Sequence, residues 1–535
     1  MRDEEFAGLG LQPPPTRIDP PVGPRDVASV LERAVASAPD AEALADQQKR
    51  YSFSQLAQAV EAVAGLLADS GIGPGDRVAA SLPNGCDIVI AFFAVMRLGA
   101  VWVGLNRILP VADKKYILAH SGTKVLIADV IIAEQVTTVR RDLPDLAMVW
   151  ALDDAARDGG WAKAIANKAN AVVPRPDIDP FAPAAIMYTS GTTGTPKGVV
   201  HSQHNMVVIP AGAFSGGYLA PDARRGASLP LTITNVLILG AVVAFWNVRP
   251  FLIAGTNKIE PLVAWMNEER VGQIAFPPTL IYDLLDADLD LPAGLKLGSG
   301  GAPLPEAMSD RFRHRYGFAP HNSYGLTEAP TVVVMKEIDD APAAASGRAL
   351  PQFHITIRDA DGKELPAGEV GEVCFAAVNH GPWANVYTPP LGYWREPEKT
   401  AALLRGGVVH SGDHGSLDEN GWLTIADRSS ELILRGGSNV YPAEIERILH
   451  MHGDIADCAV IGKPDPRLGM ITVACVQPAT DGTGSEALRA QLAALCAEHL
   501  ASYKIPDEWL FLEDFPRNAM GKIVKPRLRE LIAGA

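Results

Sequence analysis

The sequence predicts an α/β protein with a large N-terminal domain of parallel, helix-covered sheets, a small β-barrel-like region, and a small mobile α+β C-terminal domain. Three observations predict it. Short apolar strands alternate with helix-period segments towards Pro278, the pattern of a parallel sheet covered by helices. After Gly347 the texture changes to short alternating segments separated by turns such as Asp361-Gly362. A polar joint, Asp427-Arg428-Ser429-Ser430, then separates strand-like Trp422 to Ile425 from strand-like Leu432 to Leu434. The expected divisions are a domain over 1–427, a hinge at 428–430 and a domain over 431–535.

Taken in order, Val27 to Ser70 is mostly helical in spacing. It is broken at Tyr51-Ser52-Phe53-Ser54, where Ser54 is the expected cap of the next helix. Gly71 to Asp76 is a turn, Arg77 to Leu82 a strand, Cys86 to Leu98 a helix and Val101 to Val103 a strand. Ala227 to Val248 carries no charge and has the length of a membrane span. Pro230, Thr232, Thr234, Asn235 and Asn247 interrupt it, and its continuous apolar part, Val236 to Trp246, suits a buried helix. Phe353 to Arg358 and Glu369 to Phe375 read as antiparallel strands, and Ser411 to Asp427 continues that region.

At 535 residues and 47% hydrophobic, the chain can fill several large cores. A net charge of −15 and a pI near 5.3 argue against a nucleic-acid partner but leave a local site for an anionic nucleotide open. The five cysteines are odd in number, widely spaced and form no CxxC pair. That argues against a disulfide framework or a structural zinc site and fits a reducing cytosol. Residues 1–25 are acidic and then proline-rich, without the apolar core of a secretory signal. The expectation is a soluble, cytoplasmic protein with no transmembrane segment. Oligomeric state stays open, a homodimer included.

The densest chemical signal is Tyr188-Thr189-Ser190-Gly191-Thr192-Thr193-Gly194-Thr195-Pro196-Lys197-Gly198-Val199, which follows a strand-like apolar run. Glycines allow backbone N–H groups to turn inward on a ligand, hydroxyls donate to phosphate oxygens, and Lys197 brings a compact cation. The loop fits a polyphosphate. It is not a Walker loop, because Pro196 precedes the lysine and Gly198 follows it. Five stations accompany it in order: Gly298-Ser299-Gly300-Gly301-Ala302-Pro303, Tyr324-Gly325-Leu326-Thr327-Glu328, His410-Ser411-Gly412-Asp413, Asp427-Arg428 and Arg517-Asn518-Ala519-Met520-Gly521-Lys522. Singly, each reads more readily as a turn former or an ordinary surface charge. The ordered set does not.

From about Val27 to Arg529 the sequence resembles the adenylate-forming superfamily: acyl-CoA synthetases, firefly-type luciferases and peptide-synthetase adenylation domains. The resemblance implies that Thr189, Ser190, Gly191, Thr192, Thr193 and Lys197 hold the β- and γ-phosphates of ATP. Gly300, Gly301, Ala302 and Tyr324 would flank the adenine, with Ile425 closing its other side. Thr327 would touch the α-phosphate and Glu328 would bind Mg²⁺. Asp413 would take the ribose hydroxyls with help from Arg428. Lys522 would contact the carboxylate and α-phosphate during adenylation, and Arg435, Gly436 and Gly437 would later form the CoA tunnel. By the same resemblance Asn235, Leu239, Phe276, Gly300 and Leu326 line the acyl pocket. Apart from Asn235 the set is apolar, which favours a hydrophobic monocarboxylate.

The expected reaction is carboxylate attack on the α-phosphorus of ATP, giving acyl-AMP and pyrophosphate, then transfer of the acyl group to CoA. Two anions must meet, so Mg²⁺ and lysine are the fitting chemistry. The alternative reading is an acyl-AMP ligase that loads a separate carrier protein; a luciferase-like oxygenase and a non-catalytic homologue rank below it. Only a short tail follows Lys522, so no fused carrier domain is expected. Three departures from the family stand out. The gate segment Leu229-Pro230-Leu231-Thr232-Ile233-Thr234-Asn235 has no aromatic, no histidine, and no aspartate for a substrate amino group. Ser430 replaces a usual charge at the hinge, and Met470 stands where glutamate is common.

Overall fold

A computed structural model describes the chain except for residues 153–159, 169–172, 190–195, 216–222, 301–303, 305, 337–341, 343–344, 429–430, 432, 436–437, 466, 480–485, 501, 519–520 and 534–535. Two large sheets form the bulk of the N-terminal part. The first has seven strands in the order Gly392–Tyr393, Lys197–Ser202, Pro183–Thr189, Val101–Gly104, Arg77–Ser81, Val125–Asp129, Met148–Leu152. It is parallel from Pro183–Thr189 onward, and its first two strands are antiparallel additions. The second has nine strands and is parallel from Glu42–Ala45 through Phe251–Ile253, Arg225–Ala227, Gln273–Phe276 and Lys296–Ser299 to His321–Tyr324.

Burial explains the composition of these elements. Parallel strands covered on both faces read as near-continuous apolar runs, and Val78, Ala79 and Ala80 are all fully buried. The Cys86–Arg97 helix is buried along its length because core surrounds it, and Phe92 meets both Phe93 and Trp102 edge-on at 5.4 Å. The uncharged stretch forms a buried helix, Thr234–Leu237, Ile238–Val242 and Val243–Trp246, whose middle section is a π-turn. No helix among the described residues is long and apolar enough to cross a membrane.

One expected detail is corrected. Ser52, not Ser54, caps the Phe53–Asp69 helix: its hydroxyl accepts the Gln55 N–H while the Gln55 side chain accepts the Ser52 N–H. Ser54 already lies inside the first turn.

The small β region is a four-stranded antiparallel sheet, Phe353–Arg358, Gly371–Ala377, Val409–Leu417 and Leu423–Arg428. Its apolar face (Ile355, Ile357, Val373, Phe375, Val409) joins the main core, and the opposite face carries Thr356, Glu372, Cys374 and His410, of which Thr356 and Cys374 are buried. Beyond the joint, a five-stranded sheet is built on the Ile455–Asp465 and Gly469–Pro478 hairpin. It is covered by helices Pro442–Leu449 and Glu486–His499 and has its own core. Met470 packs against that core, which accounts for an apolar residue there in structural terms. Ser430 and the rest of the expected hinge beyond Arg428 lie outside the described residues.

Candidate active site

Lys197 opens the strand that leaves the phosphate loop, and strand periodicity turns Lys197, Val199 and His201 to one face. The added strand Gly392–Tyr393 pairs Tyr393 with Val199 on that face. The Tyr393 ring consequently lies 5.6 Å from the Lys197 ammonium, and its hydroxyl donates to Glu328 Oε1 at 2.8 Å. Burial and the neighbouring carboxylate push the Tyr393 pKa well up, so it remains a donor. Gly392 makes this placement possible. Its φ is +122°, and a side chain would meet Thr400 Cγ2 at 2.2 Å. Thr400 Oγ1 in turn accepts the Tyr393 N–H at 2.9 Å.

His201 is fully buried beneath the same turn. Burial pushes its pKa down to about 4, so the ring is neutral. Nε2 sits 2.6 Å from the Thr327 carbonyl and donates to it, while Nδ1 accepts from Asn205 Nδ2 at 3.1 Å. The pair therefore fixes the backbone between Thr327 and Glu328. Gly325 completes the turn: a Cβ there would stand 1.6 Å from the Thr331 carbonyl oxygen.

Tyr324, at the end of its strand, donates to Asp413 Oδ2 at 2.8 Å. Asp413 is buried, and the strand register sets it directly opposite Arg428. Gly300 borders Ser323, beside Tyr324, and Ile425 is a half-buried edge of the main core. Thr189 closes the strand at which the phosphate loop begins. Thus Thr189, Lys197, Thr327, Glu328, Tyr324 and Gly300 sit at strand ends and turns, while Asp413 and Ile425 lie within the paired strands Val409–Leu417 and Leu423–Arg428 of the small β sheet.

Lys522 arrives from the C-terminal part on a short hairpin. Arg517 and Ile523 bridge, Asn518 N–H donates to the Lys522 carbonyl at 2.9 Å, and Asn518 Oδ1 accepts the Lys522 N–H at 3.0 Å. Both flanks are anchored. Arg517 donates to Asp457 at 2.8 Å and to the Gly521 carbonyl at 3.0 Å, while Lys525 pairs with Glu446 at 2.7 Å and Glu431 at 2.8 Å. The hairpin seats on the N-terminal part where Gly521 meets Thr279. A cleft of about 500 Å³ opens there, lined by Leu229, Pro277, Thr279, Leu280, Asp283 and Gly521 among others. The lysine hairpin and the altered gate segment thus share one cleft.

Asn84 holds that gate segment. Its amide donates to the Ser228 and Leu229 carbonyls at 3.1 and 2.9 Å, and its oxygen accepts the Leu231 N–H at 2.9 Å. Leu239 and Leu326 belong to the main core. Phe276 is fully buried in a separate cluster with Leu280 and Ile281. The Asn235 side-chain oxygen is buried with no partner among the described residues. Arg435 stands apart from these groups, paired with Asp507 in the C-terminal part. Ser190, Gly191, Thr192, Thr193, Gly301, Ala302, Gly436 and Gly437 lie outside the described residues, as does the Arg428 side chain.

Tyr393, His201, Asn205 and Asn84 are the members that motif reading misses. Period-2 spacing from Lys197 points to His201, but Tyr393 has no local signal, because it reaches the site through a long-range strand pairing. Chemically the site gathers a cation, a hydroxyl-braced carboxylate and a buried second carboxylate that is tied in through Tyr324. Mg²⁺ takes hard oxygen donors and keeps phosphate and water ligands, a demand that Glu328 and its half-exposed position fit.

Comparison with known proteins agrees with this geometry. The family model for AMP-binding enzymes matches residues 31–381, and that for their C-terminal domain matches 444–522. A methyl-dioxo-octahydroindenyl propanoyl:CoA ligase of Mycobacterium tuberculosis is 34% identical over 95% of this chain and 99% of its own. An indoleacetate–CoA ligase of Aromatoleum aromaticum is 31% identical over 95% of this chain and 98% of its own. The crystal structure of an anthranilate CoA ligase with anthranoyl-AMP superposes with a TM-score of 0.86 at 24% identity, over 96% and 99% of the two chains, and shares the fold. The chain belongs to the AMP-binding enzyme family of the adenylate-forming superfamily, as an AMP-forming acid–thiol ligase.

Proposed function

We propose that the enzyme activates a hydrophobic, ring-bearing monocarboxylic acid with ATP and passes the acyl group to CoA. In the first step a carboxylate oxygen attacks the α-phosphorus and the bond to pyrophosphate breaks. In the second the CoA thiolate attacks the acyl carbonyl carbon and AMP leaves with the bridging oxygen. The observation that carries this reading is the convergence of Lys197, Tyr393 and Glu328 beside the phosphate loop, with the Lys522 hairpin docked on the same body.

In this reading Thr189 to Lys197 hold the leaving pyrophosphate, and Thr327 and Lys522 meet the α-phosphate. Mg²⁺ held by Glu328 would supply charge neutralisation of the phosphates. Gly300 to Ala302, Tyr324 and Ile425 enclose the adenine, while Asp413 and Arg428 take the ribose. Residues 431–535 then turn about 428–430, withdrawing Lys522 and bringing the Arg435 to Gly437 region to the thiol. The ring-bearing class draws on two relatives named for bicyclic acids and on the uncharged, apolar side chains of Leu239, Leu326 and Phe276, the residues we assign to the acyl pocket. Asn235 is the one hydrogen-bonding group there.

Pyrophosphate release over a panel of carboxylic acids, with and without CoA, tests the reading. Acids with fused rings on a short carboxylate arm should respond best, with AMP release completed by CoA. Release from straight-chain or charged acids alone would refute the acid class, and no release from any acid would refute the reaction.

A further inference from the structure

The face of the small β sheet turned away from the main core holds a second constellation that the ligase reaction does not use, with Cys374 fully buried and Glu372 and His410 partly so. Antiparallel pairing sets Cys374 directly opposite His410, and Glu372 lies two residues before Cys374, on the same face. The three donor atoms lie within 4.8 Å of one another. Cys374 Sγ is 3.5 Å from His410 Nδ1, and Glu372 Oε2 is 2.8 Å from the same nitrogen. The spacing of 36 residues between Cys374 and His410 hides this from any reading of cysteine motifs.

Two features fit a metal ion at this cluster. The other ring nitrogen, Nε2, faces the Arg405 carbonyl at 3.1 Å, and so donates its proton there. Nδ1 is thus the ring nitrogen that faces the two other donors, Glu372 Oε2 and Cys374 Sγ. A carbonyl on the far nitrogen is also the usual outer partner of a metal-bound histidine. Secondly, Zn–S of about 2.3 Å and Zn–N of about 2.0–2.1 Å at a tetrahedral angle require an S···N edge of about 3.5–3.6 Å, the separation already present. The Glu372 oxygen, now 2.8 Å from Nδ1, has to withdraw by about half an ångström to reach the N···O edge of about 3.3–3.4 Å that the same geometry requires.

We propose that Glu372, Cys374 and His410 form a binding site for a zinc-class divalent cation, separate from the Mg²⁺ chemistry at Glu328. One thiol, one imidazole and one carboxylate make a borderline-soft set that suits Zn²⁺ and discriminates against Mg²⁺. Binding releases the Cys374 proton to solvent. Of the three, Glu372 lines a cleft of about 460 Å³ with Arg405, His414 and Tyr441, the side from which water and the ion would reach the cluster. His410 lies three residues before Asp413 on one strand, so occupancy braces the strand that carries the proposed ribose aspartate.

The test is zinc binding by full-length metal-stripped protein, with excess Mg²⁺ present, followed by Co²⁺ spectroscopy. The wild type should bind one Zn²⁺ per chain and melt at a higher temperature when loaded. Its Co²⁺ form should show a thiolate-to-metal charge-transfer band. Cys374→Ser should abolish that band and, like His410→Ala, weaken zinc binding by about 100-fold or more, beyond the about 10–100-fold of an outer-partner loss. Glu372→Gln, a milder change kept in reserve should either variant fail to fold, should weaken it at least about tenfold. Cys458→Ser, in the other Cys–His pair, should leave binding unchanged. Equal zinc affinity in wild type and Cys374→Ser, a cobalt complex without the thiolate band, or loss of binding in Cys458→Ser would each overturn the site.

Discussion

The Tyr393 hydroxyl donates to Glu328 Oε1 at 2.8 Å while the same ring lies 5.6 Å from the Lys197 ammonium. One side chain thus spans Lys197 and the carboxylate we propose for Mg²⁺. It aims Glu328, and a hydrogen bond to a charged group in this setting is worth about 1.5–3 kcal/mol. Tyr393→Phe keeps the ring and removes only the donor. We expect kcat/KM for acid-dependent pyrophosphate release to fall about tenfold or more, with the Mg²⁺ concentration needed for half-activity rising. An unchanged Mg²⁺ dependence would show that Tyr393 does not position Glu328.

Gly325 cannot carry a side chain, because its Cβ would stand 1.6 Å from the Thr331 carbonyl. Gly325→Ala must displace the turn that holds Thr327 and Glu328. Overpacking of this kind costs about 1–3 kcal/mol of stability, which denaturant unfolding would read. Activity should fall further than stability, since the displaced backbone carries two site residues.

The hairpin of Lys522 is anchored through Arg517 to Asp457, which also faces His450 Nε2 at 3.3 Å. Burial works against the charged form of Asp457, but His450 and Arg517 outweigh it and hold its pKa below the ordinary value. For His450, burial likewise opposes charge, and Cys458 and Asp457 raise its pKa well above the ordinary value. The signs follow from linkage. Asp457 contributes stability fully present above its unfolded pKa of about 3.9 and lost as pH falls through the lower folded value. His450 contributes stability fully present below its unfolded pKa of about 6.5 and lost as pH rises through the raised folded value. The network is strongest between about pH 4 and 6.5. Asp457→Asn should flatten the pH dependence of unfolding on both sides, and it should slow acyl-AMP formation more than thioester formation from supplied acyl-AMP.

Much of this architecture is legible in the sequence, for identifiable reasons. Buried parallel strands such as Arg77–Ser81 and the helix from Cys86 announce themselves by continuous apolar runs of the right length. The stations around Glu328, Asp413 and Lys522 are legible because each is a local motif. The cap of the Phe53–Asp69 helix is less legible, since serines flank the helix start on both sides and only the reciprocal Gln55 bond selects Ser52 over Ser54. Tyr393, Asn84 and the Glu372–Cys374–His410 cluster were not legible. Strand register and loop contacts between distant segments create them, and no spacing rule carries that information.

Acid-dependent ATP–pyrophosphate exchange by Lys522→Ala, set beside thioester formation from supplied acyl-AMP, tests the central claim most directly. The account predicts exchange reduced by about 10²–10³-fold, the usual loss for one charge contact to a transition state, with thioester formation retained. Exchange at the wild-type rate would contradict it.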